Sequence, residues 1–254
     1  MVEKLTKREA SRQLAGNFDP NGFLVPLNLT AKKFLQTLWE HEYDWDQELS
    51  ATLVDEWRQI AENMSDFTIT LPRNVKEPSQ NRLVAFADAS KHAIAACVYL
   101  VGSQSAPLLM AKSKLAPRKT PGTIPKLELE AATMAVRLLW NIWTEIRSHV
   151  LIEEVYVLSD SQITLCWIKN PKDGGVLVHN RVTTISQIVS RFASYDIAVQ
   201  FGYVNTAENP ADHGTRGVTK DEITAVIWFT APKFVHQPPE TWKAELFSIK
   251  DESP

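Results

Sequence analysis

Two β-prone runs, Leu83 to Ser90 and Ala93 to Val101, constrain the fold more than any other stretch of this chain. They lie a few residues apart and predict a hairpin, with Asp88 near the end of its first strand. Because Phe86, Ala87 and Ala89 flank Asp88, its carboxylate loses hydration, and a hydrogen-bond donor, a cation or a proton must offset that loss. Two readings stand at this point: a strand-end turn former of the Asp-x-Ser kind, or an acid with partners elsewhere in the chain.

The pattern that follows predicts a mixed sheet. Pro107 to Ala111 is a short third strand, and a basic, proline-bearing loop leads to Pro125, whose locked φ suits the first turn of a helix over about Lys126 to Ser148. Glu153 to Ser159 is a fourth strand ending at Asp160, and a short helix over Gln162 to Lys169 stops at Asn170-Pro171. An amphipathic helix then aligns Val178, Val182, Ile185, Val189 and Phe192, and Ile197, Val199, Phe201 and Tyr203 alternate as a fifth strand. A final helix is expected near Thr219 to Trp228. This order defines an α/β layer architecture. Upstream, Lys4 to Leu14, Thr30 to Glu40 and Ser50 to Met64 show helical spacing, and Pro72 to Asn81 is the best boundary.

Charge narrows the partners. The chain of 254 residues has a formal net charge of -3, so a nucleic-acid surface has to be a local patch. Lys112, Lys114, Arg118, Lys119 and Lys126 form one candidate with no acid among them, and a solvated loop is the competing explanation. Nothing resembles a signal peptide, and Arg137 interrupts the apolar stretch from Ala131 to Trp143, which leads to the expectation of an intracellular protein without a membrane span. The two cysteines, Cys97 and Cys166, are too few for a disulfide framework and are expected as small core residues.

Four acids fall where a nuclease of this topology needs them: Asp88, Glu128, Asp160 and Asp212. Magnesium takes oxygen ligands and keeps several waters, so a few carboxylates from separate elements suffice. Two such ions about 3.5 to 4 Å apart can activate the attacking water and stabilise the leaving oxygen of a phosphodiester. Helical spacing puts Glu128 on the stripe of Ala132, Ala135 and Leu139 that packs on the sheet, whereas Glu130 is expected to face solvent.

Phe86-Ala87-Asp88-Ala89-Ser90, Ile124-Pro125-Lys126-Leu127-Glu128-Leu129, Ser159-Asp160-Ser161 with Trp167, Asn180-Arg181-Val182 and Asn209-Pro210-Ala211-Asp212 resemble, in order, the motifs of the ribonuclease H domain in polyproteins of Pao/BEL-type long-terminal-repeat retrotransposons. Phe18 to Phe23 with Trp39 and Trp45 is similar to the segment that joins reverse transcriptase to that domain. The resemblance implies a ribonuclease H-like fold with a five-stranded mixed sheet, divided as a helical connection segment over 1–72, the ribonuclease H-like domain over 82–217, and a C-terminal helix and tail over 218–254. It implies hydrolysis of the RNA strand of RNA–DNA hybrids with two Mg2+ ions, or Mn2+ in their place, held by Asp88, Glu128, Asp160 and Asp212. The reverse transcriptase part of a parent polyprotein is the implied protein partner. Ser90, Ser161, Asn180, Arg181 and the basic residues Lys112, Lys114, Arg118 and Lys119 are candidate substrate contacts, with caps and turns as the alternative for Ser90, Ser161 and Asn180. The family pattern ends in Ser-Arg-Gly where this chain has Thr215-Arg216-Gly217, which keeps a hydroxyl. The histidine that many ribonucleases H carry before the last acid is absent, and His213 is expected as a surface residue.

A catalytically inactive nucleic-acid-binding remnant is the competing function. The integrase branch orders its acids Asp, Asp, Glu and is disfavoured, because Glu128 precedes Asp160.

Overall fold

A computed structural model of the chain describes residues 4–71, 81–117, 122–171 and 174–249. The elements in chain order are α1 (Lys7–Ala15), α2 (Val25–Glu40), α3 (Ala51–Met64), β1 (Asn81–Ala89), β2 (Ala93–Val101), β3 (Leu108–Leu115), α4 (Ile124–Ile146), β4 (Ile152–Ser159), α5 (Gln162–Lys169), α6 (Gly175–Ala193), β5 (Val199–Tyr203), α7 (Ala211–Arg216) and β6 (Phe247–Ser248). The predicted boundary at Pro72 to Asn81 falls almost wholly outside the described residues.

The sheet order is β3-β2-β1-β4-β5-β6, with β1 antiparallel to β2 and parallel to β4. Alternation along β1 sends Leu83, Ala85 and Ala87 into a core shared with α4 and α6, and Val84 and Phe86 into a second core on the opposite face. That second core is completed by Val25 and Leu27 of α2 and by the C-terminal tail, where Trp228 is fully buried and its Nε1 donates to the Phe23 carbonyl at 2.8 Å. A third cluster, built on Phe34, Leu38, Trp57 and Ile60, holds α2 and α3 together. With both faces of β2 covered, every residue of that strand is buried, which explains its unbroken apolar run.

Four expectations are corrected. The sheet has six strands, since Phe247 and Ser248 pair with Phe201 and Gln200 at the β5 edge. A two-residue strand leaves no alternating pattern to read in a sequence. Thr219 to Trp228 forms successive turns instead of a helix. Thr219 N–H and hydroxyl both donate to Glu222 Oε2, a local side-chain bond that competes with helical pairing, and Ile223 and Trp228 are both fully buried in the second core. Finally, β3 runs on to Leu115, so Lys112 and Lys114 belong to a strand and not to the basic loop. Cys97 is buried as expected, whereas Cys166 is exposed on α5.

The β3 edge is covered by the turn that precedes α2. Ala111 N–H donates to the Asn21 carbonyl at 2.8 Å, and Gly22 follows with φ +75. A Cβ at Gly22 would stand 1.9 Å from the Ala111 carbonyl oxygen, so backbone meets backbone there without room for a side chain. Gly22→Ala is expected to destabilise by about 2–4 kcal/mol, since both the positive φ and the contact are lost. Chemical denaturation checks this, and a loss under about 0.5 kcal/mol would contradict the close approach.

Candidate metal centre

β1 and β4 run parallel with Ala87 opposite Ser159, so the next residue on each chain, Asp88 and Asp160, stand side by side at the carboxyl ends of adjacent strands. Open α/β sheets bind ligands at that end. Glu128 reaches the same place from the first turns of α4, and one carboxylate oxygen from each of the three acids lies within 4.8 Å of the others. Asp88 and Glu128 are buried, at 4% and 6% exposure, so neither can shed its charge into bulk water.

Short polar contacts hold these carboxylates. The Thr215 hydroxyl donates to Asp88 Oδ2. The Thr206 hydroxyl donates to Asp160 Oδ2 at 2.6 Å, and Asn209 Nδ2 donates to the Ala87 carbonyl at 3.0 Å and to Asp160 Oδ1 at 3.4 Å. The Ala89 N–H serves Glu128, but Glu128 Oε2 is buried without a hydrogen-bond partner among the described residues. An orphaned carboxylate oxygen beside two further acids is unfavourable unless a cation or proton joins it.

The electrostatics reflect that crowding. Burial pushes Asp88 up to about 6, opposed by the Thr215 hydrogen bond and reinforced by the charges of Asp160 and Asp212. Burial, then Asp88 and Asp160, push Glu128 up to about 9, against the Ala89 N–H. The donor set is oxygen only, the charges repel, and one oxygen is unsatisfied. These three properties fit a hard divalent cation such as Mg2+.

Asp212 stands on α7, a short helix that begins after Pro210 and ends at Gly217 with φ +85. Gly214 lets this helix press against β2, where an added Cβ would come 2.8 Å from the Ala95 side chain. Asp212 lines the cleft but is outside the tight three-acid group, and its Oδ1 accepts from Arg216 Nε at 2.6 Å.

The other expected contacts divide. Ser90 lines the cleft, but its hydroxyl accepts from the N–H groups of His92 and Ala93, and Ser161 is the N-cap of α5, accepting from Thr164 N–H. Asn180 is exposed on α6. Arg181 is engaged by Glu130, with Nε 2.9 Å from Oε1, so Glu130 is half-buried in an ion pair instead of facing solvent. Lys112 and Lys114 are exposed on β3 and are not among the residues lining the cleft. Arg118 and Lys119 lie outside the described residues. His213 is half-buried on α7, and burial pulls its pKa below the ordinary value.

Lys33, Lys91, His92, Thr206 and Arg216 also line the cleft without having been singled out as site residues. Lys91 and His92 sit one and two residues after Ser90, so proximity to the Asp-x-Ser motif was the available signal. Lys33 had none, because it arrives from a helix distant in sequence.

The sheet order and the paired acids at the β1 and β4 ends define a ribonuclease H-like domain. A family model described as Pao retrotransposon-like RNaseH-like domain matches residues 6–161, and the chain belongs to that family. The match includes Asp88, Glu128 and Asp160 and ends before Asp212. No curated protein sequence matches the chain. Among solved structures it is similar to ribonuclease H1 from Halobacterium salinarum, at 10% identity and TM-score 0.38, covering 58% of this chain and 100% of that one. It is also similar to the compost-derived LC11 ribonuclease H1 in complex with an RNA/DNA hybrid, at 15% identity and TM-score 0.40, covering 57% and 98%. A foamy viral protease-reverse transcriptase matches at 15% identity and TM-score 0.46, covering 81% of this chain, which spans 33% of the viral one.

Proposed function

We propose that this chain is a divalent-metal-dependent endoribonuclease that hydrolyses the RNA strand of RNA–DNA hybrids. The observation that carries the reading is the convergence of Asp88, Glu128 and Asp160, together with a buried Glu128 Oε2 that has no hydrogen-bond partner among the described residues. These three would hold the metal, with Asp212 as a fourth ligand from the cleft wall. Bound Mg2+ supplies Lewis-acid activation of water and stabilisation of the leaving oxygen.

The protein's own part is positioning. Thr215 fixes the Asp88 carboxylate, Thr206 and Asn209 fix that of Asp160, and Arg216 holds Asp212 at the rim. These donors leave the acids little rotamer freedom and spare the reorganisation that a loose set would undergo. A hybrid presents 2′-hydroxyls on one strand only, in a wide minor groove that side chains can enter. Ser90 from the cleft wall, with Ser161 and Asn180, are the proposed readers, while Lys112, Lys114 and Arg181 are proposed to meet phosphates farther along the duplex. Hybrids of this kind arise when RNA is copied into DNA, which supports a reverse transcriptase of a parent polyprotein as partner.

The test compares an RNA–DNA hybrid with a DNA duplex of the same sequence, in Mg2+ and in EDTA. Cleavage confined to the hybrid and to Mg2+ is expected. Equal cutting of both duplexes would refute the ribonuclease assignment, and binding without cleavage in Mg2+ would favour an inactive remnant.

A further inference from the structure

The cleft is not lined by acids alone. Lys33 of α2 and the pair Lys91 and His92, from the turn between β1 and β2, line the same depression as the acids. Among the described residues none of the three forms an ion pair. Burial, then the charges of Lys33 and Lys91, pull the His92 pKa below its ordinary value, so that imidazole is a neutral hydrogen-bonding group beside two cations. Two lysine cations gathered without an anion repel, and folding does not assemble them at no cost.

The turn that carries them is tightly held. Ser90 Oγ accepts from both His92 N–H and Ala93 N–H, and it also donates to the Thr215 carbonyl at 3.3 Å, tying the turn to α7. On the other side Ala116 N–H donates to the His92 carbonyl at 2.8 Å, and Gln36 Nε2 of α2 donates to the Ala116 carbonyl at 3.3 Å. Lys32 Nζ contacts Ser113 Oγ at 3.2 Å, a further tie between α2 and β3. A helix from the N-terminal third is thus fastened to the sheet edge beside the acids, and Lys33 is the cation it delivers to the cleft.

Resting on the ribonuclease reading above, we propose that Lys33, Lys91 and His92 form a phosphate-binding subsite that holds the substrate backbone next to the scissile position. The N-terminal helical layer then supplies part of the substrate site and is more than a scaffold. The ligand chemistry is a phosphodiester. A nucleic-acid strand carries one phosphate per about 3.4 Å of helix axis, so a strand whose scissile phosphate lies at the acids has neighbouring phosphates to offer these side chains. Such contacts position the strand without reading its sequence.

The experiment is fluorescence anisotropy of a labelled RNA–DNA hybrid with the full chain in EDTA, at several salt concentrations. The variants are Lys33→Gln, Lys33→Gln/Lys91→Gln and a charge-matched control in the exposed C-terminal tail, Lys233→Gln/Lys243→Gln. The double variant at the cleft is expected to bind roughly tenfold more weakly, with the slope of log K against log salt flattened by about 2, and Lys33→Gln alone by about 1. The tail control should keep the wild-type slope. An unchanged slope in the cleft variants, or equal flattening in the tail control, overturns the subsite and leaves the ribonuclease reading intact. A wild type that does not bind hybrid at low salt overturns both. Binding with the expected slopes but no cleavage in Mg2+ supports the subsite and refutes the ribonuclease reading.

Discussion

Asp160→Asn is expected to remove hybrid cleavage by about three orders of magnitude or more while the protein stays folded. A metal centre supplies several kcal/mol of transition-state stabilisation, and each 1.36 kcal/mol is tenfold in rate. Asp160 stands next to Asp88 by strand register, and it is held by Thr206 and Asn209, so its carboxylate cannot be replaced by a neighbour swinging in. The amide keeps an acceptor for the Thr206 hydroxyl and removes a negative charge that crowds Asp88 and Glu128. Stability should therefore be unchanged or slightly raised. Steady-state cleavage with a thermal melt checks both halves, and near wild-type turnover would sink the ligand assignment.

The two glutamates of α4 should behave in opposite ways. Glu128→Gln abolishes Mg2+-dependent cleavage and stabilises the metal-free protein, whereas Glu130→Gln leaves cleavage close to wild type. Glu130 only pairs with Arg181, a half-exposed contact whose loss costs about 1 kcal/mol or less. For Glu128 the sign follows from linkage. Its pKa is raised from 4.5 to about 9 on folding, so between those values the folded chain binds more protons than the unfolded one. Stability is then full below about pH 4.5 and declines as pH rises towards about 9. Asp88, raised from 3.8 to about 6, adds a decline of the same sign over its own lower window. The wild type without metal should melt at a lower temperature at pH 8.5 than at pH 5.5. Glu128→Gln flattens that decline and gains about 1–3 kcal/mol at the higher pH, or several degrees in Tm. A dead Glu130→Gln variant, or a wild type that grows more stable with rising pH, would contradict the placement of Glu128.

Where local pattern and global packing agree, the sequence was legible. β2 and α5 have the ends their apolar runs and flanking residues imply, and the Glu128 stripe identified the helix face that meets the sheet. Ser159-Asp160 and Phe86-Ala87-Asp88 could be paired as acids at strand ends, because a parallel neighbour brings equivalent positions together. What stayed hidden depends on contacts between distant residues. β6 is a two-residue edge strand, and the turns from Thr219 to Trp228 place Ile223 and Trp228 in a core shared with strands distant in sequence. Glu130 finds Arg181 across two helices, which no single-helix periodicity can show. The basic residues of the cleft were missed for the same reason: charge clustering along the sequence pointed to Lys112 to Lys126, whereas Lys33 and Lys91 come from α2 and a hairpin turn.

The central claim is that Asp88, Glu128 and Asp160 form a divalent metal site, and calorimetric titration of the metal-free protein with Mg2+ tests it most directly. At pH 7.5 Glu128 carries a proton that an incoming cation must displace, so binding should release close to one proton, seen as a dependence of the measured heat on buffer ionisation. The account predicts saturable Mg2+ binding with that proton release in the wild type, and binding weakened at least tenfold in Asp160→Asn. Absence of saturable binding, or the same isotherm in wild type and Asp160→Asn, would contradict it.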